Sequence, residues 1–73
     1  MTIKNVTIGD IFKRKQYKHS TFEVVDFYAL TSQVTGEVIS YQCIAREYKG
    51  LSSNLFEVPF SSVVLGRIEK PLN

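Results

Sequence analysis

Apolar and polar side chains alternate with period two in three stretches of the chain, residues 21–30, 37–48 and 55–60, and more weakly at 67–69. Successive side chains of an extended strand point to opposite faces, so this alternation predicts half-buried β-strands. In the first stretch Phe22 and Val24 share one face, and Glu23 and Val25 share the other. The pattern then doubles at Val24-Val25 and Phe27-Tyr28, as expected where a strand bends or bulges and both faces meet a core. In the second stretch Ile39, Tyr41, Cys43 and Ala45 line an apolar face, opposite a mixed face of Val38, Ser40, Gln42, Ile44 and Arg46. A half-buried antiparallel strand has this character. In the third, Phe56, Val58 and Phe60 fall on one face, and Pro59, which has no N–H to donate, marks an edge position or the strand's end.

Turn-forming residues separate these stretches. The polar segment 31–36 closes on Gly36, which is free to take a positive φ, and predicts a hairpin connection. Residues 49–54, rich in Gly, Ser and Asn, predict a second turn. Ahead of them, residues 6–13 predict a short first strand entered through Gly9-Asp10, and the polar residues 14–20 a loop. Residues 61–66 hold a serine at a cap position and a terminating glycine, which predicts one helical turn before a closing strand at 67–69 and a tail at 71–73.

Strand, long hairpin, strand, helical turn, closing strand is the plan of an all-β, SH3-like five-stranded barrel with one short helical turn before the last strand. An OB-type barrel also uses five strands, but it usually needs a longer chain and a helix between its third and fourth strands. A three-stranded open sheet packed on itself is the remaining arrangement. At 73 residues the whole chain, 1–73, is expected to form one domain. Nine Phe and Tyr supply much of its core volume. A chain this short has no room for a deep cleft, so a shallow groove or a flat face is the expected working surface.

Several of these segments together resemble a known family. Gly9-Asp10-Ile11-Phe12, Phe22-Glu23-Val24-Val25, Val38-Ile39-Ser40-Tyr41-Gln42 and Phe56-Glu57-Val58-Pro59, followed by Phe60 and Gly66-Arg67, are similar to segments of short bacterial and phage proteins of unassigned biochemical function. Those proteins carry a Tyr-Glu-Val strand, a Val-Tyr-Arg or Val-Tyr-Gln strand, and a Trp-Val-Arg-Pro segment preceding a Phe. The similarity runs from about Gly9 to Arg67, with Phe56 where the family prefers Trp and Glu57 near a common Arg. It implies an SH3-like fold and a bacterial or phage origin, and it implies no mechanism.

Charge adds a candidate surface. The net charge is +2, but Lys13, Arg14, Lys15, Lys18 and His19 place five basic side chains in seven positions, with Tyr17 among them. Such a block is either a solvated loop or an electrostatic footprint for phosphate with a stacking platform beside it. Arg46, Tyr48, Lys49 and Arg67 are the further candidate contacts.

Catalytic and metal chemistry find little support. The single cysteine, Cys43, rules out an internal disulfide and a four-thiol zinc site, and its place on an apolar face reads as a small buried side chain. His19 is the only histidine, so a two-histidine metal site is impossible. Asp10, Asp26 and Glu37 lie beside turns, where acids solvate and cap, and the four glycines are isolated rather than gathered into a phosphate loop. No enzyme, metal or cofactor is expected. The N-terminal residues lack a signal-peptide core, and no run approaches the ~18 apolar residues of a membrane span. A cytoplasmic protein that does not engage membranes is the expectation.

The reading that follows is a non-catalytic binding module that engages nucleic acid, or a protein that handles it, through the basic loop and exposed tyrosines. Two alternatives stand beside it. One is a phage-type inhibitor or adaptor that docks on a host protein through Tyr17, Tyr28 and Tyr48. The other is a homo-oligomer, assembled through an edge strand, that binds a small anionic, nucleotide-like ligand.

Overall fold

The computed structural model describes residues 1–50 and 53–68. The chain is mostly strand. A minimal hairpin opens it: β1 (Thr2–Ile3) and β2 (Val6–Thr7) pair antiparallel. Lys4 and Asn5 join them with φ of 51° and 67°, the left-handed pair that a two-residue hairpin turn of the right twist requires. The rest of the sheet comprises β3 (Ile11–Arg14), β4 (Tyr17–Thr31), β5 (Val38–Glu47), β6 (Leu55–Val58) and β7 (Arg67–Ile68), with helix α1 (Phe60–Gly66) between the last two. All pairings are antiparallel and the strand order is β6-β5-β4-β3-β7. Among the described residues the hydrogen-bonded ladder ends at β6 on one side and β7 on the other.

The core lies on one face of this sheet. Phe12, Phe22, Val24, Phe27, Cys43, Ala45 and Val58 are buried there, closed over by Val6 from β2 and Val63 from α1. Of the two doublings, Phe27-Tyr28 stays in register opposite Cys43 and Gln42, and a shift the pattern did not predict falls between Leu30 and Thr31; the bulge expected at Val24-Val25 is present, between Val24 and Asp26. That shift turns Phe27 back to the core side, opposite Cys43, and Phe27 stacks on Phe60 at 5.8 Å.

Several boundaries differ from expectation. The first strand is divided, because Gly9 (φ 99°) and Asp10 break it. Asp10 accepts the Thr7 amide, and the Gly9 amide and Asp10 carbonyl bind the carbonyl and amide of Val24. The expected loop at 14–20 is only a tight turn, and β4 starts at Tyr17. Pairing with β3 and the aromatic contacts of Tyr17 extend the strand through polar residues that carry no periodicity. The helix begins at Phe60 rather than at a serine cap; Pro59 is its N-cap and makes no side-chain cap bond. As expected, Pro59 ends β6 and Gly36 takes a positive φ of 76°. The expected turn residues Leu51 and Ser52, the end of the closing strand at Glu69, and the tail lie outside the described residues.

β4 and β5 are far longer than their neighbours. Beyond Phe27 and Cys43 they continue as a two-stranded arm, closed by Ser32, whose amide binds the Glu37 carbonyl at 2.8 Å. The molecule therefore measures 44 × 22 × 22 Å.

Candidate functional site

The end of the sheet opposite the arm gathers most of the basic residues. Antiparallel pairing explains why: Arg14 pairs with Tyr17 across the β3–β4 turn, and Phe22 pairs with Glu47 where β5 ends. The turn residues, the start of β4 and the chain leaving β5 thus lie together. Lys13, Arg14, Lys15, Lys18, His19, Tyr48 and Lys49 all belong to this end.

Aromatic packing holds the turn in place. The Arg14 guanidinium lies 5.3 Å from the Tyr17 ring and 6.0 Å from the Phe22 ring, within cation–π reach of both. Tyr17 meets Phe22 edge-on at 5.6 Å, and Phe22 meets Phe56 edge-on at 5.8 Å. This chain of rings runs from the surface into the core, since Phe22 also stacks on the fully buried Phe12 at 5.7 Å. Tyr17 itself remains 43% exposed. Its ring is amphipathic, fixed at its inner edge and open outside. At the neighbouring loop the Tyr48 amide binds the Thr21 carbonyl, and Lys49 Nζ lies 5.4 Å from the Tyr48 ring.

Between the β3–β4 turn and α1 lies a cleft of about 520 Å³. Lys13, Arg14, Lys15 and Gln16 form one wall, and Pro59, Ser62, Leu65 and Gly66 form the other. The two walls are close because Gly66 sits against the backbone of Lys13, where a β-carbon would strike the Lys13 carbonyl oxygen. Among the described residues none of Lys13, Arg14, Lys15, Lys18 and Lys49 forms an ion pair with a carboxylate; the ion pair among those residues, Arg67–Asp10, lies away from this end. Glu47, paired with Phe22 where β5 ends, accepts a hydrogen bond from Ser20 Oγ at 2.8 Å. The cleft therefore offers an anionic ligand three cations and an amide from one wall and a hydroxyl from the other, with Leu65 as an exposed apolar lip.

Two of the expected contacts stand elsewhere. Arg46 faces Glu23 across the β4–β5 ladder, inward of the end. Arg67 is on β7, 3.3 Å from Asp10 and donating to the Asn5 carbonyl, where it ties the last strand to the N-terminal hairpin. Tyr28 lies toward the arm, where its hydroxyl donates to Glu57; that bond, with burial and the carboxylate charge, raises the phenol pKa. Cys43 is fully buried, and burial together with the Asp10 charge pushes its thiol up to about 11.

The α1 wall, with Ser62 and Leu65, was absent from the sequence-based set. A helix facing a turn some fifty residues upstream leaves no local pattern; an exposed Leu65 in a short helical turn is the one faint signal. Comparison with protein-family models, curated protein sequences and solved structures found no match to this chain.

Proposed function

We propose that the protein is a non-catalytic binding module, built on an SH3-like barrel, that holds the phosphate backbone of nucleic acid at its β3–β4 end. The observation that carries this reading is the cleft whose one wall is Lys13, Arg14 and Lys15 with no carboxylate paired to them among the described residues. Lys18, His19 and Lys49 extend the positive end, and the half-exposed Tyr17 ring gives a base a surface to stack on. Such a site attracts phosphate by charge and retains it by counterion release, without reading sequence. The SH3-like reading is supported by the strand order and by a helical turn placed directly before the last strand. A protonated, buried Cys43 supports binding over nucleophilic chemistry.

The test is fluorescence anisotropy of a labelled oligonucleotide across a salt series. Affinity is expected to fall by about 0.7–0.9 log units per log unit of salt for each phosphate contact. The double variant K13A/K15A should lower that slope by about two contacts' worth and weaken binding at every salt concentration. A flat salt response, or a slope the double variant leaves intact, removes the proposal.

A further inference from the structure

The cleft has a second wall that a phosphate alone does not use. Across from Lys13, Arg14 and Lys15 its lining is Pro59, Ser62, Leu65 and Gly66, of which only Ser62 has a polar side chain. Leu65 is 87% exposed, so an apolar side chain stands in water facing a cationic wall. The other apolar side chains that position α1 are committed to the core: Val63 is fully buried, and Phe60 stacks on Phe27 at 5.8 Å. At the end of the helix, Gly66 meets the Lys13 backbone so closely that no β-carbon fits between them. α1 is therefore fixed against the sheet, and the two walls stand at a set separation. The cationic wall is also preplaced, because the Arg14 guanidinium rests on the Tyr17 and Phe22 rings. No acidic side chain lines the cleft among the described residues.

This pairing of walls selects among anionic ligands. A bare phosphate satisfies the cations and leaves Pro59 and Leu65 wet. A nucleotide unit of a single strand has both characters, an anionic phosphate and an unpaired base whose face is free to pack. A duplex does not, because its bases are stacked inside and it presents sugar, phosphate and groove edges. The volume of about 520 Å³ lies within the roughly 300–1,000 Å³ of sites that enclose a drug-sized molecule. That is room for a nucleotide unit and too little for the body of a duplex. Lys18, at the start of β4, and Lys49, beside the Tyr48 ring, carry positive charge beyond the cleft at the same end. Charge spread over more than one phosphate favours a strand over a free mononucleotide.

We infer that the cleft takes single-stranded nucleic acid in preference to duplex, with a backbone phosphate on Lys13, Arg14 and Lys15 and an unpaired base against Pro59 and Leu65. The inference rests on the phosphate-binding reading above and adds the form of nucleic acid that is bound. Leu65 is then a specificity residue, which gains contact only when a base is free to reach it.

Fluorescence anisotropy of the full chain tests this with a labelled DNA strand of about 12 nucleotides, within the usual site sizes of single-strand binders. The same strand annealed to its complement is the comparison, and both are titrated across a salt series. The single strand is expected to bind about tenfold more tightly than the duplex, in line with the worth of one base contact. L65S, at an exposed position, should keep the native circular dichroism and weaken single-strand binding by about three- to tenfold. It should leave duplex binding and the salt slope unchanged, because no charge is lost. Duplex bound as tightly as single strand, with the salt slope intact, overturns this inference and leaves the phosphate-binding reading standing. Absence of salt-dependent binding to either form removes both. An L65S variant that weakens both forms equally, or neither, overturns the base contact. Thymidine 5′-monophosphate that displaces the strand at equal nucleotide concentration overturns the choice of a strand over a mononucleotide.

Discussion

Cys43 shows how one side chain carries the condition of the whole core. It faces Phe27 and Val58 across its two neighbouring strands and has no exposed surface. Ionising the thiol there would place a charge in an apolar interior, so the folded state holds its proton up to about 11, while an unfolded chain releases it near 9.0. The raised folded value fixes the sign. The contribution to stability is complete below the unfolded value and is lost as pH rises toward the folded one. Stability should therefore fall between about pH 9 and 11 by up to about 1.4 kcal/mol per pH unit from this group. Urea unfolding at pH 7, 9, 10 and 11 should show that decline in the native sequence and a shallower one in Cys43→Ala. Comparing slopes removes the packing loss, which is present at every pH, and the raised Tyr28 phenol is common to both proteins. Equal slopes would show that the thiol ionises freely.

At the scale of elements, apolar periodicity predicted the strands where side chains decide the matter and missed where backbone pairing does. The doubled residues at Val24-Val25 foretold a bulge, and the register of β4 shifts there. Tyr17-Lys18-His19-Ser20 has no alternating pattern, yet it is strand because β3 and a ring contact hold it. Gly66 illustrates the same division. As a helix-terminating residue it was legible, but it keeps a negative-φ conformation and its glycine is needed for the close approach of α1 to Lys13. Gly66→Ala should push α1 off the β3–β4 turn and destabilise the fold by about 1–3 kcal/mol, as overpacking does. Urea denaturation checks the stability. Because the same contact sets the cleft's width, oligonucleotide affinity measured on the folded fraction should fall with it.

For the whole molecule, the length of β4 and β5 sets the cationic end apart from the arm. The cationic end and the apolar arm lie at opposite ends of the 44 Å axis, with the core between them and one charged residue along the arm. Sites this far apart with no shared partner behave additively. I39K, at an exposed position on the arm, should therefore leave oligonucleotide affinity unchanged in fluorescence anisotropy; a loss would place the arm in the nucleic-acid interface. Of the candidate site, the basic run was legible because neighbours in sequence stay neighbours across a tight turn. Tyr48 and Lys49 join it through strand register. Arg67 is drawn away by Asp10, a pairing between residues far apart in the chain that no local spacing reveals.

Local chemistry by itself determined that this chain is mainly strand, that β4 bulges beside Val24-Val25, where β6 stops at a residue with no N–H, and which seven positions concentrate positive charge. Each of these depends on a residue and its near neighbours. Only the tertiary structure decided that β4 and β5 outrun the core as an arm, that α1 supplies the second wall of the cationic cleft, and that Arg67 serves the fold rather than that cleft. These depend on which distant segments share the core, and burial selects among such pairings only once the strands have packed.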